Sequence, residues 1–275
     1  MSILRHVTAF DAGERQAWAG KVSAYAASFA KLCAHPIPAL LDAASVKPGL
    51  HLLDVGTGSG SVAAAAVERG LRVTAVDAQP DMVAWTARAV PAADVRVAEL
   101  PHLPFDDGTF DATVANFVLN HVGRPAAALS ELARVTRPGG TVAVTLWAVP
   151  AGAGAQLIPC AVEASGARRP DSWPVLPPEE NFERTPSGVA ELFRAVGLVK
   201  KVECQTLAWD HRTSPQEWWS GPASGVASAG QILASSPAEV VAAAKDHYIR
   251  LSSGFADPYG QLVLPHRALL AAARV

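Results

Sequence analysis

From residue 50 to residue 147 the chain alternates short apolar runs with amphipathic ones, and no other feature constrains its fold as much. LHLLDVG reads as a first strand, and residues 61–69 as a helix stopped by Gly70, the left-handed cap position that glycine occupies without steric cost. RVTAVD is a second strand. Gln79-Pro80-Asp81 opens the next helix, with proline in the first turn, where a missing N–H removes no helical bond. DVRVAEL and FDATVANFVLN supply a third and a fourth strand. A helix over 125–137 carries Leu129, Leu132 and Ala133 on one face, and Pro138-Gly139-Gly140 turns the chain into TVAVTLW, a fifth strand. Continuously apolar strands separated by helices demand a parallel sheet covered on both faces.

The flanking segments have different rhythms. Residues 14–32 predict one helix with Trp18, Val22, Tyr25, Phe29 and Leu32 in a single stripe, which either packs on the sheet domain or forms a partial lid. His35-Pro36-Ile37-Pro38 then breaks the chain. Residues 148–186 are rich in glycine and proline. A helix over 189–196, closed by Gly197, leads into LVKKVECQTLAW, a sixth strand. Ser214-Pro215-Gln216-Glu217 and Ser236-Pro237-Ala238-Glu239 each have the spacing of a capping box, so each predicts a helix start. The second of these helices would place Val241, Ala244, Tyr248 and Leu251 on one face. QLVLPHRALLAAARV closes the chain, its last residues reading as an edge strand, with helix as the alternative. The expected organisation is N-terminal helices over 1–49, a ligand-binding core over 50–147, and remaining strands over 148–275 with a helical cap inserted at about 210–260.

Half of the residues are hydrophobic and 17% are charged, enough to bury a core and to exclude general disorder. Twenty-three basic against twenty-five acidic residues leave a net charge of −2 with no basic block, which disfavours nucleic acid as a partner. Cys33, Cys160 and Cys204 are widely spaced, against a disulfide framework or a thiolate metal site. With no apolar leader pattern and no membrane-length apolar run, the expectation is a soluble protein of the cytoplasm, without a membrane or metal partner, for which a homodimer is compatible.

The most informative segment is Leu52-Leu53-Asp54-Val55-Gly56-Thr57-Gly58-Ser59-Gly60. Three alternate glycines between a strand and a helix let the backbone turn sharply and approach a ligand closely. The string from Gly58 also satisfies a relaxed dinucleotide fingerprint. Asp54, just before the first glycine, would repel a pyrophosphate and favour an ammonium or sulfonium instead. Asp77 ends the second strand where a carboxylate can accept from both hydroxyls of a ribose, or simply cap a helix. Glu99 ends the third strand, where it could accept from an adenine amine or remain a solvated charge.

LLDVGTGSG, VDAQPDM, AELPHLPFDDGTFDATVANFVLNHV and ELARVTRPGGTVAVT, in that order and spacing, resemble the successive motifs of class I S-adenosylmethionine-dependent methyltransferases. The similarity is greatest to the small-molecule group that includes the ubiquinone and menaquinone biosynthesis enzymes. The resemblance implies an α/β fold: a doubly wound, mostly parallel, seven-stranded Rossmann-like sheet with helices on both faces, a helical cap, and an antiparallel seventh strand. It also implies S-adenosyl-L-methionine as cofactor and S-adenosyl-L-homocysteine as product. On that likeness Gly56, Thr57, Gly58 and Gly60 cradle the methionine part, with Asp54 near its amino group. Asp77 and Ala78 lie at the ribose, and Met82 against the adenine. Glu99, where the group usually has aspartate, and Leu100, through its N–H, reach the adenine edge. Asn116 lies beside the methionine end.

Displacement on a sulfonium carbon asks the protein to align a nucleophile in line with the methyl and to exclude water; a base is needed only if the attacking atom arrives protonated. His121, just after the fourth strand, is the best-placed candidate, with a locally satisfied histidine as the alternative. His211 and His247 are lesser candidates in the cap. Tyr25, His121 and Trp147 are candidates to touch the acceptor. Five of the seven tryptophans (Trp147, Trp173, Trp209, Trp218, Trp219) follow the fourth strand, suiting a flat or apolar small molecule or the cap's own core. The competing functions are a nicotinamide-dependent oxidoreductase on a similar sheet and a repurposed S-adenosylmethionine binder without methyl transfer.

Overall fold

The structure is a computed structural model that describes residues 7–275. Four short helices, α1 (Ala9–Trp18), α2 (Val22–Ala27), α3 (Phe29–Cys33) and α4 (Ile37–Ala43), precede the sheet. Strands and helices then alternate: β1 (His51–Val55), α5 (Ser61–Glu68), β2 (Arg72–Asp77), α6 (Pro80–Ala89), β3 (Asp94–Val97), β4 (Phe110–Asn116), α7 (Pro125–Val135) and β5 (Thr136–Trp147). After α8 (Leu157–Ala164), α9 (Pro186–Ala195) and β6 (Lys200–Thr213), three helices intervene before the last strand. They are α10 (Pro215–Ala223), α11 (Ala227–Ala234) and α12 (Ala238–Ser252), and the strand is β7 (Leu262–Arg274).

One seven-stranded sheet has the order β3-β2-β1-β4-β5-β7-β6, parallel except for β7, which is antiparallel to both of its neighbours. The alternating side-chain directions of the inner strands explain their unbroken apolarity. Leu53, Val55, Val142, Val144 and Leu146 point to the face covered by α7 and α9, whereas Leu52, Val73, Ala75 and Ala143 point to the face covered by α4 and α5. A third core lies beyond the sheet, where Leu32 of α3, Leu157 and Ile158 of α8, Trp218 and Trp219 of α10 and Tyr248 of α12 close over Leu262 and Leu264 of β7.

Several expectations need correction. Residues 14–32 form three helices, because Gly20 takes a left-handed φ of +71° and Ser28 leaves helical geometry at φ −128°, ψ −97°. The stripe therefore splits: Trp18 meets Tyr25 edge-on, while Phe29 packs edge-on against Trp218. The third strand stops at Val97, short of Glu99, and the fourth at Asn116, followed by a single 3-10 turn over Leu119–His121. Ser214 caps α10 by accepting from the Glu217 N–H, but the second capping box does not form: the Ser236 hydroxyl donates back to the Ile232 carbonyl, and Pro237 takes the cap position of α12. The C-terminal segment is an inner strand, not an edge. It lies between β5 and β6, where small alanines suit a strand buried on both faces. Among the described residues no helix is long and apolar enough to cross a membrane.

Candidate functional site

The carboxyl ends of β1, β2 and β4 meet at the glycine loop. Gly56, Gly58 and Gly60 all have positive φ (70°, 57° and 86°), where a side chain is strained, so the loop's path depends on glycine. A Cβ at Gly56 would collide with the Val118 side chain, and one at Gly60 would lie 3.0 Å from Thr86. The Gly56 and Thr57 N–H groups donate to the Val76 carbonyl, which ties the loop to the end of β2. Gly58 donates its N–H to Asp77 Oδ2 at 2.9 Å, and Asp77 Oδ1 accepts from the Gln79 N–H at 2.9 Å. Asp77 thus braces the loop and the start of α6 at once. The Ala78 N–H also faces it.

Asp54 is 1% exposed. Its Oδ2 accepts from the Thr57 hydroxyl at 2.7 Å, while Oδ1 is buried with no hydrogen-bond partner. An unpaired buried carboxylate oxygen carries a desolvation cost that a cation or N–H donor would relieve. Burial pushes the Asp54 carboxyl up to about 7; the Thr57 hydroxyl and the nearby Ala63 N–H oppose this, and the Asp77 charge adds to it. Burial likewise raises Asp77, opposed by the N–H groups it accepts from.

Tyr25 of α2 lies directly over the loop: a Cβ at Gly58 would be 3.3 Å from its ring. Burial, then the neighbouring Cys33, Asp77 and Asp54, push its phenol well above the ordinary value. Met82 is buried in the first turn of α6. Asp54, Gly56, Thr57, Gly58, Asp77 and Tyr25 are therefore one cluster, with Gly60 at its far end against Thr86.

Other predicted residues are engaged elsewhere. Glu99 Oε2 pairs with the Arg15 guanidinium at 2.7 Å, both about one-third exposed. Glu99 and Leu100 line a cavity of about 20 Å³ with Asp11, His102 and Arg124, room for one water. Asn116 Nδ2 donates to the Cys33 carbonyl at 2.9 Å, and its Oδ1 accepts from the Thr145 hydroxyl at 2.6 Å, so both ends are used to join α3 to β5. His121 Nδ1 lies 2.7 Å from Glu14 Oε2, and its ring meets Trp18 edge-on. Trp147 stacks on Phe117, centroids 4.0 Å apart, next to the Val118 that abuts Gly56. His247 Nδ1 lies 2.9 Å from the Arg250 guanidinium within α12.

Sequence reasoning missed the part played by α1. Besides Glu14 and Arg15, the Arg15 carbonyl accepts from Gln79 Nε2, Asp81 accepts from the Gly20 N–H, and Asp11 accepts from the Gly123 N–H. These contacts latch the N-terminal helices over the carboxyl ends of the strands. Glu14 and Arg15 look like ordinary surface charges in a helical pattern, so nothing local marks them. Phe117, at φ +59°, is likewise illegible from sequence, since bulky residues rarely adopt that region.

A family model described as a methyltransferase domain matches residues 53–144. A demethylmenaquinone methyltransferase of Beutenbergia cavernae is 38% identical over 112 residues, 41% of this chain and 47% of that protein. Its counterpart in Renibacterium salmoninarum is 36% identical over 111 residues, 40% and 47% of the two chains. The chain spans about half the length of these curated relatives. Among solved structures, the YcgJ protein of Bacillus subtilis superposes with a TM-score of 0.54 at 17% identity, covering 88% of this chain and 99% of that one. The cyclase SpnF gives 0.52 at 20% identity, covering 88% and 80%. These last two likenesses are of fold. Residues 53–144, the span similar to the methyltransferase-domain model, supply most of β1 and β5 and all of β2, β3 and β4 of the seven-stranded Rossmann-like sheet.

Proposed function

We propose that this chain is an S-adenosylmethionine-dependent methyltransferase that moves a methyl group to an O, N or C atom of a small-molecule acceptor by in-line displacement. The observation that carries the reading is Asp54: a buried carboxylate with one orphaned oxygen, set immediately before three positive-φ glycines. That buried acid fits a ligand bearing an ammonium and a sulfonium, and it would repel the diphosphate of a nicotinamide cofactor. When bound, S-adenosylmethionine supplies a methyl group on an already activated leaving group.

The chain's own residues do the rest. Asp54 and the loop from Gly56 to Gly60 would hold the amino-acid end, and Asp77 would receive the ribose hydroxyls with the acceptor capacity left beside its two N–H bonds. Met82 would offer an apolar wall to the adenine. Arg15 holds Glu99 in this structure, so Glu99 would have to part from that guanidinium to reach the adenine edge, and a movement of α1 would allow it. Closure by α1–α3 excludes water and brings Tyr25 over the loop. His121, oriented through Nδ1 by Glu14, would accept a proton at Nε2 from an acceptor that arrives protonated. Its partner Glu14 sits on the same latch, so orientation and closure occur together.

A net charge of −2 with no basic stripe favours a small molecule over nucleic acid, and the three free cysteines suit a reducing compartment such as the cytoplasm. The test is thermal shift and equilibrium dialysis with S-adenosylhomocysteine and with NADH. The homocysteine compound should be retained and should raise the melting temperature; retention of NADH alone would refute the proposal.

A further inference from the structure

Beyond Trp147 the wall of rings continues into the cap. Trp147 lies 6.2 Å from Trp209 and 6.1 Å from His266 between centroids, and Trp209 is stacked between His266 and His35 at 6.1 and 5.6 Å. Trp218 flanks the other side of His266 at 5.6 Å and His211 at 5.4 Å. Strand register creates this grouping, because Trp209 of β6 is paired directly with His266 of β7, and His211 follows two residues along the same face. His35 arrives from the break between α3 and α4, its Nε2 3.2 Å from His211 Nδ1.

Two buried donors in this group have no acceptor: the indole N–H of Trp218, a residue only 4% exposed, and the indole N–H of Trp209. Buried indoles ordinarily find a hydrogen-bond partner, so two orphans around one imidazole mark a place built for acceptor atoms. The imidazoles are neutral. Burial, then the neighbouring His35 and His266, hold His211 down to about 4, and burial also lowers His266 and His35. The flanking charges, Lys31 and Glu217, neutralise each other at 2.6 Å. A group of this kind offers N–H donors and aromatic faces but no net charge. Among the described residues no set of His, Cys, Asp and Glu side chains is arranged to hold a metal ion. An open groove of about 600 Å³ is lined by Trp209 and His266 with Asp210 and Arg267, while Trp147, Trp218 and His211 are not among its walls.

We infer that the Trp147–Trp209–Trp218 wall with His211 and His266 is the acceptor-binding chamber, and that it takes a flat ring bearing a hydroxyl or carbonyl oxygen held by the two indole N–H groups. This inference rests on the methyltransferase reading for what happens to the ring, but the binding it describes does not. The continuous run of rings from Phe117, beside the glycine loop, to Trp209 joins the chamber to the cofactor end of the site.

The experiment uses the full chain with S-adenosylhomocysteine present and two ring-identical probes, 2-naphthol and naphthalene, in equilibrium dialysis. The wild type should hold 2-naphthol at least tenfold more tightly than naphthalene. Trp218→Phe and Trp209→Phe, which keep an aromatic ring and delete the donor, should each cut that preference to threefold or less while naphthalene affinity and S-adenosylhomocysteine affinity stay unchanged. Should Trp218→Phe fail to fold, as judged by circular dichroism, Trp209→Phe carries the same test. An absent preference in the wild type, or one that survives in both variants, overturns the chamber. If S-adenosylhomocysteine does not bind while the naphthol preference follows the indoles, the chamber stands and the methyltransferase reading falls.

Discussion

Asp54 offers the sharpest test, because its protonation state links stability to ligand binding. Its carboxyl sits at about 7 in the folded protein and near 3.9 in an unfolded chain. The folded state therefore binds more protons between those values, and stability contributed by this group is present below about pH 4 and lost as pH rises toward 7. A ligand that presents an ammonium to Oδ1 requires the carboxylate. If only the ionised form binds, the dissociation constant scales inversely with the ionised fraction and should fall about 25-fold, or about 2 kcal/mol, between pH 5.5 and pH 7.5. The ligand's own α-amino group stays mostly protonated in that window. Calorimetry with S-adenosylhomocysteine at several pH values measures this directly, and Asp54→Asn supplies the control. The variant should lose most of the affinity and all of the slope due to this group, yet melt at an equal or higher temperature than the wild type at pH 8, because it no longer buries a charge. A pH-independent affinity in the wild type, or an Asp54→Asn variant that binds normally, would refute the reasoning.

Three further outcomes are expected. Asp77→Ala should weaken S-adenosylhomocysteine by roughly 1.5–3 kcal/mol, tenfold to a hundredfold, through lost ribose bonds and a loosened Gly58 N–H; unchanged calorimetric affinity in a folded variant would remove Asp77 from the site. Gly58→Val should abolish binding with a near-native far-UV spectrum, since its Cβ would press on the Tyr25 ring at a left-handed φ, and retained binding would show that the loop does not touch the ligand. Arg15→Ala removes the partly exposed pair with Glu99, so it should shift stability by less than about 1 kcal/mol while speeding ligand association in stopped-flow fluorescence, and an unaltered association rate would count against α1 as a latch.

Much of the sheet and its glycine loop was legible in the sequence because their determinants are local. Alternating apolar runs specify strands buried on both faces, Gly70 and Pro80 punctuate helices, and the loop from Asp54 to Gly60 announces a close backbone approach. The departures are equally physical. The apolar spacing of Trp18, Val22, Tyr25, Phe29 and Leu32 suits one helix, but Gly20 and Ser28 break it so that successive pieces can fold over the strand ends. Ser236 has the spacing of an N-cap, and its hydroxyl found a nearer partner in the preceding helix. Glu99 and Asn116 stand at motif positions, yet Arg15, Cys33 and Thr145 decide what they bond to in this closed arrangement.

By itself, then, the amino-acid order determined the alternation of elements, the turn that only glycine permits, and the acid beside it, since each depends on neighbours within a few residues. Only the tertiary structure decided that β7 runs inside the sheet, that Glu14 reaches His121 across 107 positions, and that His266 meets Trp209 and Trp218. Those pairings depend on strand register and helix docking, which are set by the burial of whole faces and leave no trace at the residues that meet.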